Sequence, residues 1–138
     1  MIKGFSHVGI AVKDLKSAIA FFENVYGAKL VWQETYPQER FETALVVVGH
    51  LRFELLSSLD ADSLVSRFIE NRGEGIHHMS LEVEQFGAVI DSLKAKGLQV
   101  MGETDTKDFK AAFIHPQGNY GVLTEIIEPK GNWGTGGS

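Results

Sequence analysis

An internal repeat constrains the fold of this chain more than any other feature of its sequence. The run 7–12 (HVGIAV) returns as the run 78–83 (HMSLEV), at an offset of 71 residues. Glu54 and Glu125 stand at the same offset, so each half contains a His, 46 intervening residues and a Glu. A repeat that restores both ionisable residues at one spacing indicates two copies of one structural unit.

The spacing of apolar residues predicts the same order of elements in both halves. Alternating residues predict strands, and apolar residues at i, i+3 and i+4 predict helices. The first half is predicted to form a strand over 4–12, a helix from an Asp14 cap to about Tyr26, and strands over 29–35, 41–48 and 51–57. The second half is predicted to form a strand over 77–83, a helix over about 85–96, and strands over 98–102, 110–115 and 120–127. The prediction is an α+β chain of two βαβββ modules.

The modules are predicted to form a single domain over residues 1–138. Module 1 covers about 1–57, a connector covers 58–75, and module 2 covers about 76–128. The connector repeats nothing and contains a short predicted helix capped by Asp62. The tail 129–138 is rich in Gly, and we expect it to be flexible because it has too few apolar groups to pack unaided.

Charge and composition exclude several classes of protein. A net charge of −5 gives no reason to expect a nucleic-acid partner, since phosphate backbones are bound by concentrated Lys and Arg. The chain has no Cys, which excludes disulfides and thiolate metal ligands. It has neither an apolar run that could span a bilayer nor a charged-then-apolar leader. We therefore expect no membrane partner and a cytoplasmic location.

The repeated residues His7, Glu54, His78 and Glu125 are the candidate metal ligands. Two neutral imidazoles and two carboxylates suit a divalent first-row ion such as Co, Mn, Ni or Zn. Such an ion could polarise two substrate oxygens as a Lewis acid. A lone His at a strand start is usually structural, and a lone Glu usually faces water. The two Glu residues lie in mostly apolar strands, however, where a buried carboxylate needs a partner, and their joint recurrence favours a metal site.

Three other histidines fit the metal site less well. His77 points to the opposite face from His78 if both lie in one strand, which indicates a structural role. His50 and His115 stand next to predicted turns, where solvent is the expected neighbour. The sequence also has no G-x-S-x-G elbow and no Gly-Lys-Ser/Thr phosphate loop.

The motifs resemble those of the vicinal oxygen chelate superfamily, which contains glyoxalases, bleomycin-resistance proteins and dioxygenases, and most nearly those of its methylmalonyl-CoA epimerases. The resemblance is carried by HVGIAV at 7–12, FELL at 53–56, the connector at 62–78, FIHP at 113–116 and GVLTE at 121–125. It implies a curled mixed sheet around a metal-binding cavity and a homodimer. It also implies that the divalent ion is held by His7, Glu54, His78 and Glu125.

The resemblance implies a reaction as well. An epimerase of this kind takes a small acyl-CoA, removes the C2 proton through a metal-stabilised enolate and returns a proton to the other face. Glu125 would be one of its two acid–base groups while also touching the metal. The second carboxylate usually precedes the third strand, but residues 37–42 (PQERFE) depart from the family's pattern there. Glu39 is the nearest candidate.

Two alternatives share the scaffold. A glyoxalase I-like lactoylglutathione lyase would use the same four ligands and a similar proton shuttle, so the ligands cannot distinguish it from an epimerase. A metal-free drug-binding protein would not need the ligands, and metal content would separate it from the enzymes. An extradiol dioxygenase fits less well, because its iron takes two His and one carboxylate.

Overall fold

A computed structural model describes residues 1–133 of the chain. These residues form eight strands and three helices: β1 Ile2–Ala11, α1 Leu15–Tyr26, β2 Lys29–Tyr36, β3 Phe41–Val48, β4 Leu51–Ser58, α2 Leu64–Arg72, β5 Gly75–Val83, α3 Phe86–Ala95, β6 Val100–Asp105, β7 Phe109–Ile114 and β8 Thr124–Pro129. The α+β class and the βαβββ order of both halves are confirmed. Among residues 1–133, none of the helices has the length and apolar character needed to cross a bilayer.

The described residues divide into two compact units. Unit I is Val8–His77, and unit II combines Met1–His7 with His78–Trp133. The division falls inside β1, whereas the modules predicted from the repeat begin with that strand. The single domain over 1–138 stays a prediction.

Unit I is built on a sheet of order β2-β3-β4-β1. β1 runs parallel to β4, with Gly9 paired to Glu54, and the other neighbouring strands are antiparallel. One face of the sheet is covered by α1, where Leu15 and Ile19 pack in one cluster with Leu55. Because side chains alternate along a strand, Glu54 lies on the face opposite α1.

Unit II repeats this arrangement. Its strand order is β1-β5-β8-β7-β6, and β5 runs parallel to β8 with Ser80 paired to Glu125. Val89 and Ile90 of α3 pack in one cluster with Ile126 of β8. In both units the residue paired to the repeated Glu stands two positions after the repeated His. The repeat in the sequence is therefore a repeat in strand register.

Two predicted strand boundaries in the second half are wrong. β6 covers Val100–Asp105 instead of 98–102, and β8 begins at Thr124 instead of residue 120. Tyr120 and Gly121 both have positive φ, so the chain turns at these residues and cannot continue an extended strand there. The predicted cap of the connector helix is also wrong. Ser63, and not Asp62, caps α2, and its side chain accepts a hydrogen bond from the Ser66 amide.

Residues 129–133 pack onto unit II, which differs from the flexible tail expected from the sequence. The Lys130 amide donates to the Asp108 carbonyl at 2.7 Å, and the Lys130 ammonium donates to the Thr106 carbonyl at 2.7 Å and to the Asp105 carboxylate. Trp133 is only 3% exposed. A large aromatic side chain can anchor a Gly-rich segment because it buries much apolar area. The remainder of the predicted tail, 134–138, lies outside the described residues.

Two glycines in helical regions are expected to respond oppositely to alanine. Gly27 ends α1 with φ 66, while Gly87 lies within α3, and a Cβ would have open space at both. Gly27→Ala should lower the free energy of unfolding by about 1–2 kcal/mol, since the left-handed conformation is strained for L residues. Gly87→Ala should raise it by about 0.5–1 kcal/mol. Urea denaturation measures both, and a gain at Gly27 would contradict the assigned helix end.

The ion pair of the tail is expected to be visible in a titration. The hydrogen bond from Lys130 lowers the pKa of the Asp105 carboxyl below its ordinary value of 3.8. A lowered pKa stabilises the fold above that ordinary value, and this stability is lost as the pH falls through the folded-state pKa. Lys130→Met should return the Asp105 pKa to its ordinary range in a carboxyl carbon NMR titration. The exposed Lys96→Met variant is the control and should change nothing.

Candidate metal and active site

Three of the predicted ligands form a buried cluster in unit II. The Nε2 atoms of His7 and His78 lie 3.3 Å apart, and each faces Oε1 of Glu125, at 3.3 Å from His7 and 3.7 Å from His78. The three residues are 1%, 3% and 7% exposed, in the order His7, His78 and Glu125. The ligand-type atoms of three residues distant in sequence thus meet in one place that solvent barely reaches.

Strand register brings the carboxylate to the imidazole. Ser80 pairs with Glu125 across β5 and β8, and His78 stands two residues before Ser80, so its side chain lies on the same face. The Ser80 hydroxyl donates to Glu125 Oε1 at 2.8 Å. On β1, Nδ1 of His7 shares a 2.9 Å hydrogen bond with the Ser6 hydroxyl. Because Nδ1 is engaged, Nε2 is the ring nitrogen that His7 presents to the cluster.

Aromatic rings enclose the cluster on the side of each histidine. The Trp133 ring lies edge-on to His7 at a centroid distance of 5.9 Å, and the Phe113 ring lies edge-on to His78 at 5.3 Å. Phe109 packs against Trp133 at 5.4 Å. Apolar walls lower the local dielectric, which strengthens electrostatic interactions inside the cluster and disfavours uncompensated charge. A buried carboxylate in such surroundings needs a positive partner.

The fourth predicted ligand, Glu54, belongs to unit I. It is 4% exposed on the sheet face opposite α1, and its Oε2 accepts a 2.9 Å hydrogen bond from the Thr43 hydroxyl. Each repeated Glu is therefore buried and held by a hydroxyl donor on a neighbouring strand, Thr43 in unit I and Ser80 in unit II. These hydroxyls orient one carboxylate oxygen while leaving lone pairs for a further partner.

The donor set in unit II fits a divalent first-row ion. Two imidazole nitrogens and a carboxylate oxygen are the ligands that Zn, Co, Ni and Mn accept in proteins. They come together without competing solvent, and the groups behind them, Ser6 and Ser80, hold their orientations as is usual around metal ligands. His7, His78 and Glu125 could thus hold a metal.

The structure places the other candidates away from this cluster or in turns. His77 belongs to unit I and packs edge-on to Phe68 at 4.9 Å, as expected for a structural residue. His50 is exposed in the turn between β3 and β4, and Nδ1 of His115 accepts from the Gln117 amide at 2.9 Å. Glu39 lies partly exposed in the turn between β2 and β3.

Sequence reasoning missed the hydroxyls and the tryptophan that complete these sites. Ser80 could have been found, because it follows His78 by two residues and so shares its strand face. Thr43 and Trp133 carry no such signal, since their positions depend on antiparallel pairing and on how the tail packs.

Removing the Ser80 hydroxyl is expected to destabilise the fold and not only the site. Ser80 is 0% exposed, so Ser80→Ala removes a hydrogen bond from the Glu125 carboxylate, which solvent barely reaches. We expect the free energy of unfolding to fall by about 1–3 kcal/mol in urea denaturation. Ser17→Ala removes an exposed hydroxyl of α1 and serves as the matched control. Equal effects from the two variants would contradict the role given to Ser80.

Known proteins resemble this chain along most of its length. A sequence profile of the Glyoxalase/Bleomycin resistance protein/Dioxygenase superfamily matches residues 6–114. Human mitochondrial methylmalonyl-CoA epimerase is 33% identical over 125 residues, which are 88% of this chain and 71% of that protein. The ethylmalonyl-CoA/methylmalonyl-CoA epimerase of Cereibacter sphaeroides is 34% identical over 131 residues, 91% of this chain and 98% of that protein.

Solved structures also resemble this chain along most of its length. The crystal structure of methylmalonyl-CoA epimerase from Mycobacterium tuberculosis matches with a TM-score of 0.86 and 32% identity, covering 97% of this chain and 93% of that one. The profile match spans most of the chain, and both epimerase sequences exceed 30% identity over most of their own length. The chain therefore belongs to the Glyoxalase/Bleomycin resistance protein/Dioxygenase superfamily and is related to its methylmalonyl-CoA epimerases.

Proposed function

We propose that this protein is a divalent-metal-dependent epimerase that inverts C2 of methylmalonyl-CoA or a similar 2-substituted acyl-CoA. The observation that carries the proposal is the buried meeting of His7, His78 and Glu125 in a chain whose relatives are named as epimerases of such substrates. A small acyl-CoA is accordingly the proposed partner. The homodimer and the cytoplasmic location stay predictions from the sequence.

The proposed ligands of the ion are His7, His78, Glu125 and Glu54. Support for Glu54 comes from three likenesses to Glu125: the same offset from a repeated His, the same pairing register and a buried carboxylate held by a hydroxyl. Co, Mn, Ni and Zn all suit this set. When bound, the ion supplies Lewis acidity that stabilises negative charge developing on the substrate's oxygens.

Glu125 is the proposed acid–base group on one face of C2. Its carboxylate accepts the C2 proton as the C–H bond breaks, and the electron pair of that bond delocalises into the thioester carbonyl. Ser80 holds Oε1, which limits the orientations that the carboxyl group can take during the transfer. Glu125 is 7% exposed, so few water molecules compete with the substrate for its carboxylate.

Inversion requires a second acid–base group on the other face of C2, because one carboxylate alone returns the proton to the side from which it came. The sequence proposes Glu39 for this role. The relatives' names favour the epimerase over the lactoylglutathione lyase. A metal-free binding protein has no need of three buried ligands.

Proton exchange tests the reaction directly. Methylmalonyl-CoA is followed by proton NMR in heavy water with the cobalt-loaded protein. We expect the C2 proton signal to disappear at an enzymatic rate, and a chelator to stop its loss. A metal-loaded protein that leaves the C2 proton in place would refute the epimerase. A protein that binds no metal and exchanges nothing would favour the binding-protein alternative.

His78→Ala tests the ligand assignment. Metal affinity should fall by about 100-fold or more, since even groups behind a ligand contribute 10–100-fold, and exchange activity should be lost with the metal. Cobalt binding by calorimetry and far-ultraviolet circular dichroism separate loss of metal from loss of fold. His50→Ala, which removes an exposed imidazole of the same type, should retain both metal and activity. Full activity in His78→Ala would remove His78 from the site.

A further inference from the structure

The sheet face of unit I that carries Glu54 also carries a carboxylate that sequence reasoning did not select. Glu34 of β2 pairs with Thr43 of β3, and the Thr43 hydroxyl donates to Glu54 Oε2 at 2.9 Å. Directly paired residues of antiparallel strands project their side chains to the same face. Glu34, Thr43 and Glu54 therefore stand on one face, on three successive strands.

The exposure of β2 agrees with this placement. Gln33 and Thr35 are exposed, whereas Trp32 and Glu34 are partly buried and Tyr36 is 3% exposed. The alternation shows that the strand turns the face with Glu34 away from solvent. One oxygen of Glu34 accepts a 3.0 Å hydrogen bond from the Thr35 amide, which limits the orientations of the Glu34 side chain.

A second feature of the same face indicates a ligand. Trp32 pairs with Leu45, which in turn pairs with Glu54, so the indole of Trp32 is on the face with Glu34. Its Nε1 is buried and has no hydrogen-bond partner among residues 1–133. A buried donor without an acceptor is unfavourable, and buried polar groups in proteins nearly always have partners. A bound molecule with carbonyl or carboxylate oxygens would supply the missing acceptor beside Glu34.

Glu39 has no comparable support from the sheet. It lies in the turn between β2 and β3, after the last paired residue of β2 and next to Arg40, whose φ is 66. Strand alternation does not determine the direction of a side chain in such a turn. Register therefore favours Glu34 over Glu39 as the carboxylate that works on the face with Glu54.

We propose that Glu34 is the second acid–base group of the epimerase, a role that rests on the proposed function and on Glu54 as a metal ligand. Starting from one enantiomer, the Glu34 carboxylate takes the C2 proton while the C–H electron pair moves into the thioester carbonyl. Protonated Glu125 then gives its proton to the other face of C2. The reverse reaction exchanges the two roles, so protons and electrons balance in both directions.

The test relies on Glu34 and Glu125 each removing the C2 proton of a different enantiomer. Racemic methylmalonyl-CoA is incubated in heavy water with metal-loaded wild type, Glu34→Gln or Glu39→Gln, and the C2 proton is followed by NMR. Wild type should exchange the protons of both enantiomers. Glu34→Gln should exchange about half of the total, from the enantiomer served by Glu125, and epimerisation should fall by about 100-fold or more. Glu23→Gln, which changes an exposed carboxylate of α1, is the control and should behave as wild type, whereas Glu39→Gln tests the rival assignment.

Metal content and the midpoint of thermal unfolding are measured for the same variants. If Glu34 had only a structural role, Glu34→Gln would change one or both of these quantities. Glu34→Gln should keep its cobalt and its midpoint of unfolding. The proposal for Glu34 is overturned if the variant epimerises within threefold of wild type, if it loses metal or stability together with exchange of both enantiomers, or if Glu39→Gln is the variant that exchanges half. A metal-loaded wild type that exchanges nothing overturns the proposed function and this role with it.

Discussion

The free energy of placing ionisable side chains in the middle of buried strands governs the structure around His7, His78 and Glu125. An isolated carboxylate in an apolar environment is strongly unfavourable, and a neutral imidazole without a hydrogen bond also carries a smaller penalty. Here each group has a hydrogen-bond or ion-pair partner that limits this penalty, and the three together form a donor set suited to a cation. Loss of any one of the three residues would leave its buried partners uncompensated and lower the free energy of unfolding. Such interdependence of buried ionisable groups is typical of functional sites.

Parallel pairing is the means by which the fold makes this arrangement twice. In each half, the strand that contains the repeated His runs parallel to the last strand, which contains the repeated Glu. Parallel neighbours need a long crossover, and the helix and two strands between them supply it. Because side chains alternate with a period of two, a slip of one residue would turn the carboxylate to the helix-covered face. The register is therefore held by the apolar cores beneath α1 and α3 as much as by hydrogen bonds.

Surroundings that exclude water serve the proposed reaction. A C2 proton between a thioester and a carboxylate is removed more readily when the developing charge is stabilised by oriented groups instead of mobile water. Trp133 and Phe113 provide apolar walls beside the two histidines. Hydrogen bonds from Lys130 to Asp108 and Thr106 anchor the turn that leads to the tail residue Trp133. A segment that the sequence marks as unstructured thus becomes part of the enclosure.

The sequence by itself determined the α+β class, the two βαβββ modules and the identity of the repeated His and Glu. These follow from short-range periodicity and from a repeat, both of which are properties of the linear order of residues. Only the tertiary structure decided that Thr43 holds the Glu54 carboxylate, that Trp133 packs beside His7, and that Glu34 shares the face with Glu54. These contacts join residues on different strands, and their existence depends on pairing register and on a bulge in β2, which local sequence does not specify.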